Sequence, residues 1–176
     1  MIIDASRVFV NTRLLDTVDR RLPVPGRLCH CRADRQPAHH GDDDTLHEEC
    51  GVFGAIALDD AAAATALGLH ALQHRGQEAA GIVSFDGKRF HQERHMGLVG
   101  DHYTDPATLA RLPGSIAIGH TRYSTTGEVA MRNVQPLFAE LEEGGISIAH
   151  NGNFTNGLTL RRQIIATGAI CQSTSD

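Results

Sequence analysis

Three short strings in the chain carry residue types that can do chemistry together: Cys50-Gly51-Val52-Phe53-Gly54, His120-Thr121-Arg122-Tyr123-Ser124-Thr125 and His150-Asn151-Gly152-Asn153. Hydrolysis of a carboxamide needs a nucleophile, a base, donors for the tetrahedral oxyanion and a grip on the rest of the substrate. A cysteine followed by glycine and a short apolar run suits a nucleophile at the head of a strand, where no neighbouring side chain blocks the sulfur. The planar guanidinium of Arg122 can take an amino-acid carboxylate in a two-pronged grip. The Asn151 side-chain amide and the Gly152 backbone N–H are donors for an oxyanion, worth about 3 to 4 kcal/mol each. No Asp-paired histidine stands out as a base for Cys50. Cleavage of the backbone in front of Cys50 would supply one, an α-amino group with a pKa of about 7.7 to 8.0. That step would make residues 1–49 a propeptide.

Each string also has an ordinary structural explanation. A cysteine before an apolar strand can be a buried structural thiol, an arginine after a strand can sit in a surface ion pair, and Asn-Gly is a common turn pair. His74-Arg75-Gly76-Gln77-Glu78 follows a helical run, so Arg75 either approaches the site or neutralises the helix C-terminus. His91, His95 and His102 read as surface or hairpin residues. Cys29-His30-Cys31 with His39 and His40 has metal-ligating types at spacings that match no usual zinc pattern, and reads as a chance cluster. The sequence contains neither a G-x-x-x-x-G-K-[ST] nor an H-E-x-x-H string, so P-loop nucleotide binding and zinc proteolysis find no support.

The elements that must position these residues begin at Cys50. Residues 51–58 read as a strand, and Ala61 to Leu72 as a helix with Asp60 as N-cap and Gly76 as stop. Gly81 to Phe85 and Lys88 to His95 read as a hairpin joined through Asp86-Gly87 in a primed turn. Asp105-Pro106 opens a short helix that ends before Pro113-Gly114. Ile116 to His120 and Ile146 to His150 alternate large with small residues and run into polar loops. They are expected to be central strands that deliver Arg122 and Asn151 from their ends, with their small face approached closely by a second layer. A last helix is expected over about Leu158 to Ala166. Strands and helices are interspersed without strict alternation, which favours an α+β fold over a doubly wound sheet. Residues 1–49, with Pro23-Val24-Pro25-Gly26 and an Asp- and His-rich tail, read as a disordered or removable leader.

Composition sets wider bounds. The 176 residues suffice for one ordinary domain, and 41% apolar content with 18 Gly and no Trp implies a core of small aliphatic side chains. A formal charge of −5 with both signs interspersed argues against nucleic acid or membrane as the main partner. No apolar run approaches the roughly 20 residues of a membrane span, and the N-terminus lacks a secretory signal pattern, so a cytoplasmic protein with reduced thiols is expected.

Residues 50–176 resemble the N-terminal glutaminase domain of the amidophosphoribosyltransferases. The resemblance rests on Cys50 to Gly54, Leu72 to Ile82, Gly119 to Gly127, Asn133 to Leu137, Ala149 to Asn153 and Gln172 to Asp176. It implies a four-layer αββα sandwich of the N-terminal-nucleophile hydrolase type, here incomplete at its C-terminus. Cys50 matches the family's nucleophile, Arg122 the residue that binds the glutamine α-carboxylate, Asn151 and Gly152 the oxyanion hole, and Asp176 the aspartate that binds the substrate ammonium; Thr125 and Arg75 are assigned to substrate binding with them. Family members continue into a phosphoribosyltransferase domain that binds Mg2+ and phosphoribosyl pyrophosphate, and some carry an iron–sulfur cluster. Both groups are expected outside these residues, together with homo-oligomerisation of the longer protein. Glucosamine-6-phosphate synthase shares the chemistry but differs in the flanking strings. A catalytically silent fragment and an interaction module remain the alternatives from other functional classes.

Overall fold

The computed structural model describes residues 2–4, 8–9 and 27–28 by backbone alone, and residues 50–123, 130–142, 144–152 and 154–174 with their side chains. Short strands β1 (Ile2–Asp4), β2 (Val8–Phe9) and β3 (Arg27–Leu28) lie before Cys50. The main body starts with β4 (Cys50–Ile56), α1 (Ala61–Ala71) and a 3-10 turn at Gln73–Arg75. There follow β5 (Ala79–Phe85), β6 (Phe90–Met96), α2 (Val99–His102), α3 (Pro106–Ala110) and β7 (Ile116–Arg122). A 3-10 turn at Met131–Asn133, β8 (Leu137–Leu141), β9 (Gly144–Ile148) and α4 (Gly157–Ala166) complete the described elements. The fold is mixed α and β, as expected.

The strands form two antiparallel sheets, one in the order β3-β4-β7-β5-β6 and one in the order β2-β1-β9-β8. Both anticipated central strands lie inside their sheets. β7 runs two residues past His120, to Arg122, whereas β9 starts two residues before Ile146 and ends at Ile148, so His150 and Asn151 lie in the loop beyond it. Ile2 to Asp4 pair with Ile148 to Ile146 of β9, and Arg27-Leu28 pair with Ile56-Ala55 of β4. The remainder of residues 1–49, including Cys29-His30-Cys31 and His39-His40, lies outside the described residues.

Strand alternation decides what each face of the five-stranded sheet meets. Ala55, Ala117 and Ala80 pack with Ala62, Ala66 and Leu69 of α1. A Cβ on Gly119 would sit 2.6 Å from Leu69 Cδ1 and 2.8 Å from Thr65 Cγ2, so the glycine lets the helix lie close on β7. The small-residue face does admit a second layer, and that layer is α1. On the opposite face Val83 and Ile118 meet Ala149 beyond β9, and Phe90 approaches Phe138 of β8 with ring centroids 5.2 Å apart. Leu69, Ile82 and Ile118 are fully buried, each such side chain contributing about 1.5 to 3 kcal/mol.

Local signals mostly placed the elements, with the hairpin turn displaced. Ala-rich α1 has high intrinsic propensity and buries Ala62, Thr65, Ala66 and Leu69 along one stripe. Asp60 occupies the N-cap position, yet its side chain makes no capping bond among the described residues; its backbone carbonyl accepts from Ala64 N at 3.0 Å. The helix ends at Ala71, one residue short of Leu72, and Gly76 closes the 3-10 turn that follows; the Gln73 side chain organises that turn, donating to Gly76 O and accepting from Val99 N. In the hairpin, Asp86 N donates to Arg89 O, so the chain reverses over Gly87-Lys88, one residue beyond the Asp86-Gly87 pair. Gly87 takes φ +93 at the first central position, and Asp86 Oδ1 accepts from Lys88 N and Arg89 N. Asp105 caps α3 through Ala107 N at 2.9 Å with Pro106 in the first turn, as its residues require.

Candidate active site

Cys50 is the first residue of β4, and its Cα partner on β7 is Arg122. Val52 and Ile118 both contribute to the core between the sheets, so Cys50 and Arg122, two and four residues away along the same strands, stand on that face. Cross-strand partners have Cβ atoms about 4.5 to 5.5 Å apart. Arg122 is 4% exposed, and its Nη1 donates to Asn133 O at 3.3 Å. Cys50 and Arg122 thus stand side by side at the end of the central strands. Cys50 itself is half-buried, and its Sγ donates to Tyr123 O at 3.5 Å.

The loop after β9 reaches the same place. Asn151 Nδ2 donates to Cys50 O at 2.9 Å, across 101 residues of sequence. Gln135 Oε1 accepts from His150 N at 2.6 Å and so anchors that loop just before Asn151. Gly152 adopts φ +131, a conformation that favours glycine over any L side chain. The asparagine amide is therefore held against the nucleophile's own peptide, with Gly152 immediately next to it.

Arg75, the last residue of the 3-10 turn after α1, donates through Nε to Cys50 O at 2.8 Å. Of the two sequence readings, approach to the site and service to the helix end, the structure shows the approach, and the contact is with the backbone of Cys50. Two donors thus converge on one carbonyl and fix the orientation of the strand head. Thr125 and Asp176, the other two expected substrate-binding residues, lie outside the described residues, although Thr174 is placed.

Three contributors were missed as individuals by the sequence reading: Gln73, Asn133 and Gln135. All act through carboxamide side chains or backbone carbonyls, and the signal available was their position inside the strings Leu72 to Ile82 and Asn133 to Leu137. His120, fully buried on the Arg122 face of β7, has its pKa pushed down to about 3, first by burial and then by the charge of Arg122. It is neutral at physiological pH and adds no second positive charge beside the guanidinium. No group of three or more His, Cys, Asp or Glu side chains converges to hold a metal ion among the described residues. No helix among them is long and apolar enough to cross a membrane.

No family model matches the chain. Solved structures and curated proteins do, and the class they define is that of the glutamine amidotransferases. The structure of glutamine phosphoribosylpyrophosphate amidotransferase from B. subtilis, complexed with ADP and GMP, matches with a TM-score of 0.65 at 40% identity, covering 71% of this chain and 27% of that one. A second, described as the allosteric regulatory enzyme of purine biosynthesis, matches with a TM-score of 0.66 at 41% identity over the same shares. An amidophosphoribosyltransferase of Rhizobium etli is 91% identical over 135 residues, 77% of this chain and 27% of that protein. One from Lacticaseibacillus casei is 51% identical over 133 residues, 74% of this chain and 68% of its own length. The chain belongs to the amidophosphoribosyltransferase family. It spans about a quarter of the length of the Rhizobium relative.

Proposed function

We propose that the chain from Cys50 onward forms the glutaminase part of an amidophosphoribosyltransferase, which releases ammonia from glutamine. The observation that carries this reading is the convergence on Cys50: Arg122 is its cross-strand partner, and Asn151 Nδ2 lies 2.9 Å from its carbonyl oxygen. Removal of residues 1–49 exposes the α-amino group of Cys50, which takes the thiol proton as Sγ attacks the side-chain amide carbon of glutamine. An amide NH2 carries two hydrogens, so Asn151 can hold Cys50 O with one and meet the oxyanion with the other, beside the Gly152 N–H. The ammonium form of the α-amino group then protonates the leaving nitrogen, ammonia departs, and a thioester remains. Water, deprotonated by the same amine, releases glutamate and restores the thiol. Arg122, with Thr125, holds the glutamine α-carboxylate and Asp176 its ammonium, while Arg75 keeps the strand head in place.

In this reading the domain is a four-layer αββα sandwich, with α1 as one of its outer layers. Ammonia passes to phosphoribosyl pyrophosphate in the remainder of the longer relatives, giving 5-phosphoribosylamine in the first committed step of purine synthesis. Mg2+, any iron–sulfur cluster and the oligomer contacts belong with that remainder, and the protein works in the cytoplasm.

Intact mass followed by labelling with 6-diazo-5-oxonorleucine tests the proposal. Loss of residues 1–49 and a single adduct on Cys50, absent in Cys50→Ala, is the expected outcome. An intact, unlabelled chain would support the silent alternative.

A further inference from the structure

We infer that Asn133 is a positioning residue for the amino-acid head of glutamine, joining the Arg122 guanidinium to the Ser173-Thr174 segment. The inference rests on the glutaminase reading and names a residue which that reading does not use. Asn133 is fully buried at the end of the Met131–Asn133 turn. Its backbone carbonyl accepts from Arg122 Nη1 at 3.3 Å. Its side chain faces the other way in bonding terms. Oδ1 accepts from Thr174 N at 2.9 Å and from Ser173 Oγ at 3.1 Å, and Nδ2 donates to Thr174 Oγ1 at 2.7 Å. One residue therefore bonds on one side to the group assigned to the carboxylate, and on the other to the two residues that lead towards Asp176, assigned to the ammonium.

Residues 169–174 belong to no helix or strand, and Ile170 is 87% exposed. A segment of that kind loses backbone freedom when it is fixed, and three hydrogen bonds to one buried carboxamide offset that loss at Ser173 and Thr174. Asn133 is itself held by the chain around it. Its N–H donates to Ala130 O at 2.9 Å, and the next carbonyl, Val134 O, accepts from Arg94 Nη1 of β6 at 3.1 Å. Two residues on, Gln135 anchors the Asn151 loop through His150 N. The strap 133–135 thus touches each of the three chain segments assigned to substrate, with Asn133 responsible for the head-group pair. Its effect is on where the carboxylate and ammonium of the substrate sit.

The test compares two electrophiles on Cys50 in the intact protein. One is 6-diazo-5-oxonorleucine, which carries the α-carboxylate and α-ammonium; the other is iodoacetamide, which carries neither. In Asn133→Ala the first reagent should label about tenfold or more slowly below saturation, while the iodoacetamide rate changes by less than about twofold. Steady-state glutaminase assays should show KM for glutamine raised by a similar factor, with kcat within about threefold. Thr174→Val removes one acceptor from an exposed position and should shift the same ratio in the same direction by about threefold, which keeps the test decisive if Asn133→Ala does not fold. Equal slowing of both reagents, or no change in either, overturns the inference. A wild-type protein that is itself unlabelled by the diazo reagent overturns the glutaminase reading and this inference with it, whereas a labelled wild type with indifferent variants overturns the inference alone.

Discussion

His120 and Arg75 show how single side chains prepare the strand ends. His120 has its folded-state pKa near 3, against about 6.5 for an unfolded histidine. Between those values the unfolded chain binds the extra proton, so stability is full above pH 6.5 and falls as pH is lowered towards 3. The slope from this one group reaches about 1.4 kcal/mol per pH unit inside that window. Urea midpoints measured from pH 7.5 to 5 should therefore decline for the wild type, and His120→Gln should flatten the decline; an unchanged slope would remove His120 as its source. Arg75 presents a different kind of test, since its Nε bonds to Cys50 O. A charge-assisted bond of this type is worth about 1.5 to 3 kcal/mol, and Arg75→Ala is expected to lower glutaminase kcat by about 10- to 100-fold with KM for glutamine little changed. A rise confined to KM would instead assign Arg75 to the substrate. In the sequence Arg75 reads equally well as a helix-end cation, because its target lies 25 positions away.

At the scale of elements, close packing joins the helix layer to the site. Gly76 follows the turn that carries Arg75, and a Cβ there would lie 2.7 Å from Thr121 C and 2.8 Å from Arg122 C. Both are backbone atoms and cannot swing aside. Gly76→Ala should cost about 1 to 3 kcal/mol and move Arg75 away from Cys50, so Cys50 alkylation rates and denaturation midpoints should change together. Strands and helices were legible here because their causes are local: Asp105-Pro106 opens α3, alternating residues build β7, and alanines build α1. The 3-10 turn between α1 and Gly76 was not, because Gln73 organises it through Val99, 26 residues on. The hairpin turn slipped by one residue for a nearer reason, since Asp86 spends its side chain on Lys88 N and Arg89 N and leaves the reversal to Gly87-Lys88.

At the scale of the whole molecule, apolar surface on α4 and just beyond it is exposed among the described residues. Leu158, Ile164, Ile165 and Ile170 are 75%, 48%, 50% and 87% exposed, and no described residue of α4 is buried. Exposed apolar surface of this kind drives association. The chain alone should self-associate with rising concentration in light scattering, and Leu158→Lys with Ile165→Lys, seven residues apart on one helical face, should reduce that association without loss of β-sheet signal. Persistence of the association in the double variant would place its origin elsewhere.

From sequence alone, the residue types, their order along the chain and the local elements could be read: a cysteine at the head of a strand, an arginine at the end of another, an Asn-Gly loop after a third. Periodicity and capping act over a few residues, and that is the range over which sequence patterns speak. Only the tertiary structure decided which of these meet. It paired Cys50 with Arg122 by strand register, brought Asn151 across 101 residues to the Cys50 carbonyl, turned Arg75 onto that same oxygen, and made Asn133 the link between Arg122 and Thr174. Those contacts depend on how sheets and loops stack in three dimensions, where the free energy comes from burial and satisfied hydrogen bonds between distant segments, and no local pattern encodes that choice of partners.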